Sequence, residues 1–148
     1  SGLGKSSLLA NWSKEQQRKG DICVIPYFSS NGGHQLYARI LRYISNEVSE
    51  RLNIELPNGS EEEQIQKLFD LLAVRNDKVV IVFDAINQIA DINQSKMLNW
   101  LPIPPANVKY LFSTLEEDVT MQVFTNRAHP VFRLHRLDEK QRTELVQN

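Results

Sequence analysis

The chain has 148 residues, 41% hydrophobic and 24% charged, with 17 Lys and Arg against 18 Asp and Glu for a net charge of −1. That length supports one domain with a buried core, and that balance excludes a disordered or fibrous chain and any broad basic field for direct nucleic-acid capture. The lone Cys23 excludes an internal disulfide, and no apolar run reaches the roughly 18–20 residues of a membrane span, so a cytoplasmic domain without a membrane partner is expected.

The chain opens with Ser1-Gly2-Leu3-Gly4-Lys5-Ser6-Ser7. Gly4-Lys5-Ser6 matches the end of the phosphate-binding loop G-x-x-x-x-G-K-[ST]. The first glycine of that pattern would fall two places before Ser1. The expectation is therefore a chain that starts inside its own motif, without the strand leading into it. In such a loop Gly2 and Gly4 let consecutive N–H groups turn toward phosphate oxygens, at a helix start whose dipole favours an anion. Lys5 places an ammonium on the β- and γ-phosphates, and Ser6 offers a hydroxyl to Mg²⁺. The same residues would also serve as a plain turn capping a helix.

Helical spacing predicts a helix from Lys5 to about Gln17, with Leu8, Leu9 and Trp12 as its apolar face and a stop at Gly20. Ile22 to Phe28 reads as a strand, and Pro26 assigns it to an edge because proline cannot donate to the ladder. Ser29 to Gly33 reads as a loop, with Gly32-Gly33 a turn before the next helix. Leu36, Ile40, Leu41, Ile44 and Val48 define a helix ending near Leu52. Ser60 and Glu63 form a capping box for a helix that turns Ile65, Leu68, Phe69 and Leu72 inward. Lys78 to Asp84 is an apolar, mostly β-branched strand closed by a carboxylate, a pattern that belongs to a parallel sheet covered on both faces. A short helix is expected from Ser95 to Trp100, a strand from Val108 to Ser113 and a helix from Glu116 to about Asn126. A short strand follows from Val131 to Leu134, and a helix begins at Asp138. Alternating strands and helices predict an α/β fold with a parallel sheet.

Asp84 closes its strand at the carboxyl end, where open parallel sheets gather their ligands. Alone it would pass for a turn or helix cap. Paired with the phosphate-loop residues upstream, it is a candidate Mg²⁺ ligand. Ser113 and Thr114 close another strand, where a hydroxyl would bond the γ-phosphate or attacking water, or would simply cap the following helix. His34, His129 and His135 have no metal-ligand spacing, and Cys23 reads as an inert core residue. Trp12 and Trp100 read as core or domain-interface residues.

The runs G-L-G-K-S-S-L-L-x-x-W, V-V-I-V-F-D-A-I-N-Q-I, W-L-P-x-x-P-x-N-V-K-Y-L-F-S-T and H-P-V-F-R-L-H-R-L-D together resemble signal-transduction P-loop NTPases of the NACHT type. The likeness is strongest to the branch of the nephrocystin and telomerase-associated proteins, and it covers essentially residues 1–148. It implies a three-layer P-loop NTPase core with strand order 5-1-4-3-2, here without its first strand and without the helical and winged-helix modules that follow. It implies ATP and Mg²⁺ as cofactors, with Ser1, Gly2, Leu3, Gly4, Lys5, Ser6 and Ser7 on the phosphates. Ser6 and Asp84 would hold Mg²⁺, and Ser113 or Thr114 would sense the γ-phosphate.

The function implied is a regulatory nucleotide switch inside a larger signalling protein, with protein partners bound by other domains and a nucleotide-dependent oligomer among its possible states. Asn87 and Gln88 stand where acidic residues often polarise the attacking water. Neither is a general base, although the Asn87 amide can orient water, so slow or absent hydrolysis is expected. No arginine follows the sensor position. An active ATPase or small-molecule kinase is one alternative, and a scaffold without nucleotide is another. Extending the chain upstream by about ten residues, a strand and a loop, is expected to raise both stability and nucleotide binding.

Overall fold

The computed structural model describes residues 4–26, 36–89 and 95–134. Ser1, Gly2, Leu3, the Ser29–Gly33 loop, His34, His135 and the helix start at Asp138 lie outside the described residues. Apolar spacing becomes helix in α1 (Lys5–Arg18), α2 (Leu36–Leu52), α3 (Glu61–Ala73) and α4 (Val119–Asn126). Apolar runs become the strands β1 (Ile22–Val24), β2 (Val79–Phe83) and β3 (Val108–Phe112).

The three strands form one parallel sheet in the order β1-β2-β3. Parallel neighbours need a crossover between them, and α2 and α3 supply it between β1 and β2. The chain is thus α/β, as its alternating pattern predicted. Ile22 pairs with Val79, which pairs with Val108, so the strands start level; β2 and β3 end together at Phe83 and Phe112, two residues beyond the end of β1 at Val24. One face of the sheet, through Val24, Val79, Ile81, Phe83 and Val108, joins a single buried cluster with Ile40, Leu41 and Ile44 of α2 and Ile65, Leu68 and Leu72 of α3. Each such side chain contributes about 1.5–3 kcal/mol by leaving water. Cys23 and Val82 point to the other face and are buried too, and α1 packs against β1.

Local signals set the element ends. The Ser60 hydroxyl accepts the Glu63 N–H at 3.2 Å, and the Glu63 carboxylate accepts the Ser60 N–H at 2.8 Å, so the capping box closes as expected. Asn107, just ahead of β3, donates its amide to the carbonyls of Leu72, Arg75 and Asp77 at 2.9, 3.3 and 2.7 Å. It thereby stitches the end of α3 to the start of the sheet. At the outer edge of β1 the Cys23 carbonyl accepts from Gln17 of α1 at 3.3 Å and from Arg51 of α2 at 2.8 Å. An exposed strand edge is an invitation to foreign strands, and two side chains close this one.

Five expectations need correction. The strand at Ile22 ends at Val24, ahead of Ile25 and the donor-less Pro26. The helix expected from Ser95 to Trp100 is a single 3-10 turn, Ser95–Met97, cut off where Leu98 takes a left-handed φ of 58°. The helix expected from Glu116 begins at Val119, because Asp118 is its cap. Val131 to Leu134 is not a strand; among the described residues no ladder partner lies beside it, and apolar content without a partner makes no sheet. Leu8 and Trp12 are exposed rather than turned inward, and Ser13 is the buried residue of α1. Among the described residues no helix is long and apolar enough to cross a membrane.

Candidate functional site

Two strand ends build the centre of the site. Because Phe83 pairs with Phe112, the next residues, Asp84 and Ser113, meet across the carboxyl edge of the sheet. The Ser113 N–H donates to the Phe83 carbonyl and the Ser113 carbonyl accepts from the Ile86 N–H, both at 2.9 Å. These bonds fix the serine backbone and with it the direction of the Cα–Cβ bond, and two partners then hold the hydroxyl in one rotamer. The Ser113 hydroxyl donates to Asp84 Oδ1 at 2.6 Å and accepts the Ala85 N–H at 2.7 Å. Ala85 holds a left-handed φ of 55°, a conformation that costs a non-glycine residue about 1–3 kcal/mol and needs such support.

Ser113 is buried and Asp84 half-buried, so the carboxylate is partly shielded from water without being sealed off. Among the described residues Ser113 touches only one of the two Asp84 oxygens. Phe83 and Phe112, the residues just before them, stack at 5.1 Å between ring centres, and Trp100 meets Phe83 edge-on at 6.2 Å.

Gly4 leads into α1 with a left-handed φ of 75°, which glycine adopts without strain. Among the described residues no side chain caps the helix start, and no acidic residue lies in its first turn. The N–H groups of Lys5, Ser6 and Ser7 precede the first helical bond, from the Leu8 N–H to the Gly4 carbonyl at 2.9 Å. Lys5 is half-buried and both serines are exposed. Among the described residues no hydrogen bond or ion pair joins them to Asp84, Asn87 or Ser113.

Asn87 lies in the 3-10 turn Ile86–Gln88 that follows Asp84, and its side chain is half-buried. Thr114 goes elsewhere. Its hydroxyl meets that of Thr120 at 2.6 Å, while Thr120 donates to Asp118 Oδ1 at 2.8 Å. A hydroxyl has one proton, so with Thr120 committed to the carboxylate, Thr114 is the donor between the two. The strand end thus sends Ser113 toward Asp84 and Thr114 away from it. Neither caps α4: Asp118 does, accepting the Thr120 N–H at 3.0 Å.

Sequence reasoning missed Thr120, Asp118 and Lys96, which form one polar cluster beside the site. The available signal was Asp118-Val119-Thr120, an N-cap residue at a helix start. Lys96 donates to Asp118 Oδ2 at 2.7 Å. Burial works to raise the Asp118 pKa, but the bonds from Lys96 and Thr120 outweigh it and hold the carboxyl below the usual aspartate value.

The donor set can be tested against a cation. Among the described residues no three His, Cys, Asp or Glu side chains gather into a metal-binding group. Asp84 and hydroxyls are hard oxygen donors, which suits Mg²⁺, an ion that takes one or two carboxylates and fills its other positions with phosphate and water. The chemistry of these donors suits that ion, and of the set the described contacts bring together Asp84 and Ser113. Comparison with protein-family models and with curated proteins gives no match to this chain.

Proposed function

We propose that this chain is the nucleotide-binding core of a regulatory switch of the NACHT type, a P-loop NTPase module that binds ATP with Mg²⁺ and hydrolyses it slowly or not at all. The observation that carries the reading is the hydrogen bond from Ser113 to Asp84 at the carboxyl ends of two neighbouring parallel strands. A carboxylate held in this way, with one oxygen left by its serine partner, suits a metal ligand monitored by a polar neighbour. The order β1-β2-β3 supports it as well, since three adjacent strands of a 5-1-4-3-2 sheet would run parallel in the same sense.

The roles follow from the residues. Gly4 frees the turn into α1, and the N–H groups of Lys5, Ser6 and Ser7 would receive phosphate oxygens at a helix N-terminus. Lys5 would neutralise the β- and γ-phosphates, and Ser6 and Asp84 would hold the cation. Bound Mg²⁺ would supply charge neutralisation for the polyphosphate. Ser113 keeps Asp84 oriented and would register whether a γ-phosphate is present. Asn87 can orient water but cannot take its proton, which matches a switch better than a fast enzyme.

The test is a titration of the intact protein with a fluorescent ATP analogue, with and without Mg²⁺, alongside Lys5→Ala and Asp84→Asn. Binding that depends on Mg²⁺, weakened at least tenfold by Lys5→Ala and made Mg²⁺-independent by Asp84→Asn, is expected. Equal binding by the wild type and Lys5→Ala, or no binding by the wild type, would overturn the reading. Rapid phosphate release abolished by Asn87→Ala would replace the switch with an ATPase.

A further inference from the structure

We infer that Thr114, Thr120, Asp118 and Lys96 form a positioning relay that holds the Ser113 hydroxyl on Asp84 and couples that contact to helix α4. The consequence for ligand binding rests on the nucleotide-site reading above; the geometry of the relay does not. Ser113 and Thr114 are consecutive, so the backbone that aims one hydroxyl at Asp84 aims the other at Thr120. Thr120 is fully buried, and its hydroxyl oxygen accepts from Thr114 while its proton goes to Asp118.

Both oxygens of Asp118 are engaged. Its Oδ1 takes the Thr120 N–H and hydroxyl, and its Oδ2 takes Lys96. The Lys96 and Asp118 side chains are only 17% and 14% exposed. A shielded ion pair is a poor source of stability, because desolvation offsets the attraction, but it is a demanding geometric lock. The far end of α4 is locked to the same segment. Arg127 donates to the Met97 carbonyl at 2.9 Å and to Asn99 Oδ1 at 2.7 Å. Helix α4 and residues 96–99 are therefore clamped together at both helix ends, and the hydroxyl bridge from Thr114 joins that body to the Ser113 strand end. Displacing Ser113 must displace Thr114, and with it the cap of α4.

Amide hydrogen exchange in the unliganded protein tests the relay, because the Ala85 N–H reports the Ser113 hydroxyl directly. Thr114→Val keeps the shape and removes the donor. It should speed Ala85 exchange about tenfold, the worth of one net hydrogen bond, and speed the first amides of α4 similarly. Exchange at Leu68 in α3 should stay within a factor of two, and Thr114→Ser should restore wild-type rates. An unchanged Ala85 rate overturns the relay. A uniform increase at Ala85, α4 and Leu68 also overturns it, since that is a merely structural loss. A second arm measures Mg²⁺-ATP affinity, which should fall about tenfold in Thr114→Val and recover in Thr114→Ser. Loss of binding in the wild type would remove the nucleotide reading, while the exchange arm still decides the relay.

Discussion

Replacing Ser113 by Ala removes the one hydroxyl that serves both Asp84 and the Ala85 N–H. The bond to Asp84 is charge-assisted, worth about 1.5–3 kcal/mol, and leaving the partly buried Ala85 N–H without an acceptor costs about 1–3 kcal/mol. Asp84 is half-buried, so water can replace part of its loss, and a total near 2–3 kcal/mol is expected. For a chain of this size that is roughly 5–10 °C in Tm, or about 1 M in the urea midpoint at unchanged slope. Urea unfolding followed by tryptophan fluorescence is the assay, since Trp100 lies 6.2 Å from Phe83, the residue before Asp84. A cycle with Asp84→Ala then isolates the pair, and a coupling of about 1–2 kcal/mol is expected. A Ser113→Ala midpoint equal to wild type would refute the reasoning, as would losses that add within about 0.5 kcal/mol.

Asn107→Ala deprives three carbonyls of their donor and should cost about 2 kcal/mol by denaturant unfolding. Asn107→Asp should cost more at neutral pH, because a carboxylate would face those carbonyls with no proton to give, and acidification should recover part of the loss. The Asp118 carboxyl is held below its ordinary value of 3.8, so its contribution is present above the unfolded-state value and lost as the pH falls through the lower folded value. Acid unfolding curves should therefore show a loss in that window, and Lys96→Met should flatten it.

What the sequence revealed depended on the range of the signal. The helices α2 and α3 and the strands β2 and β3 were legible because their apolar residues recur at helical spacing or run unbroken, and each pattern is local. The capping box was equally legible, being complete within four residues. The choice between Ser113 and Thr114 was not, because it depends on the register that pairs Phe83 with Phe112, a relation between segments about thirty residues apart. Asn107 had no structural role legible in the sequence, because its three carbonyl partners come from the end of α3 and the residues after it, about thirty positions away. Val131 to Leu134 misled for the opposite reason, having strand-like composition with no ladder to join among the described residues.

The closed edge of β1 gives the sheet a direction. With the Cys23 carbonyl occupied by Gln17 and Arg51, a foreign strand cannot zip onto that side without evicting both. On the other side the Ser113 N–H and the Asn107 carbonyl turn toward β2, so the polar groups of Tyr110 and Phe112 turn outward, and among the described residues no strand lies beyond β3. Fibre growth by edge pairing needs two sticky sides, one to accept and one to offer. Among the described residues the sheet offers only β3 to a neighbouring strand, and in the proposed order 5-1-4-3-2 that is the place of the sheet's own first strand.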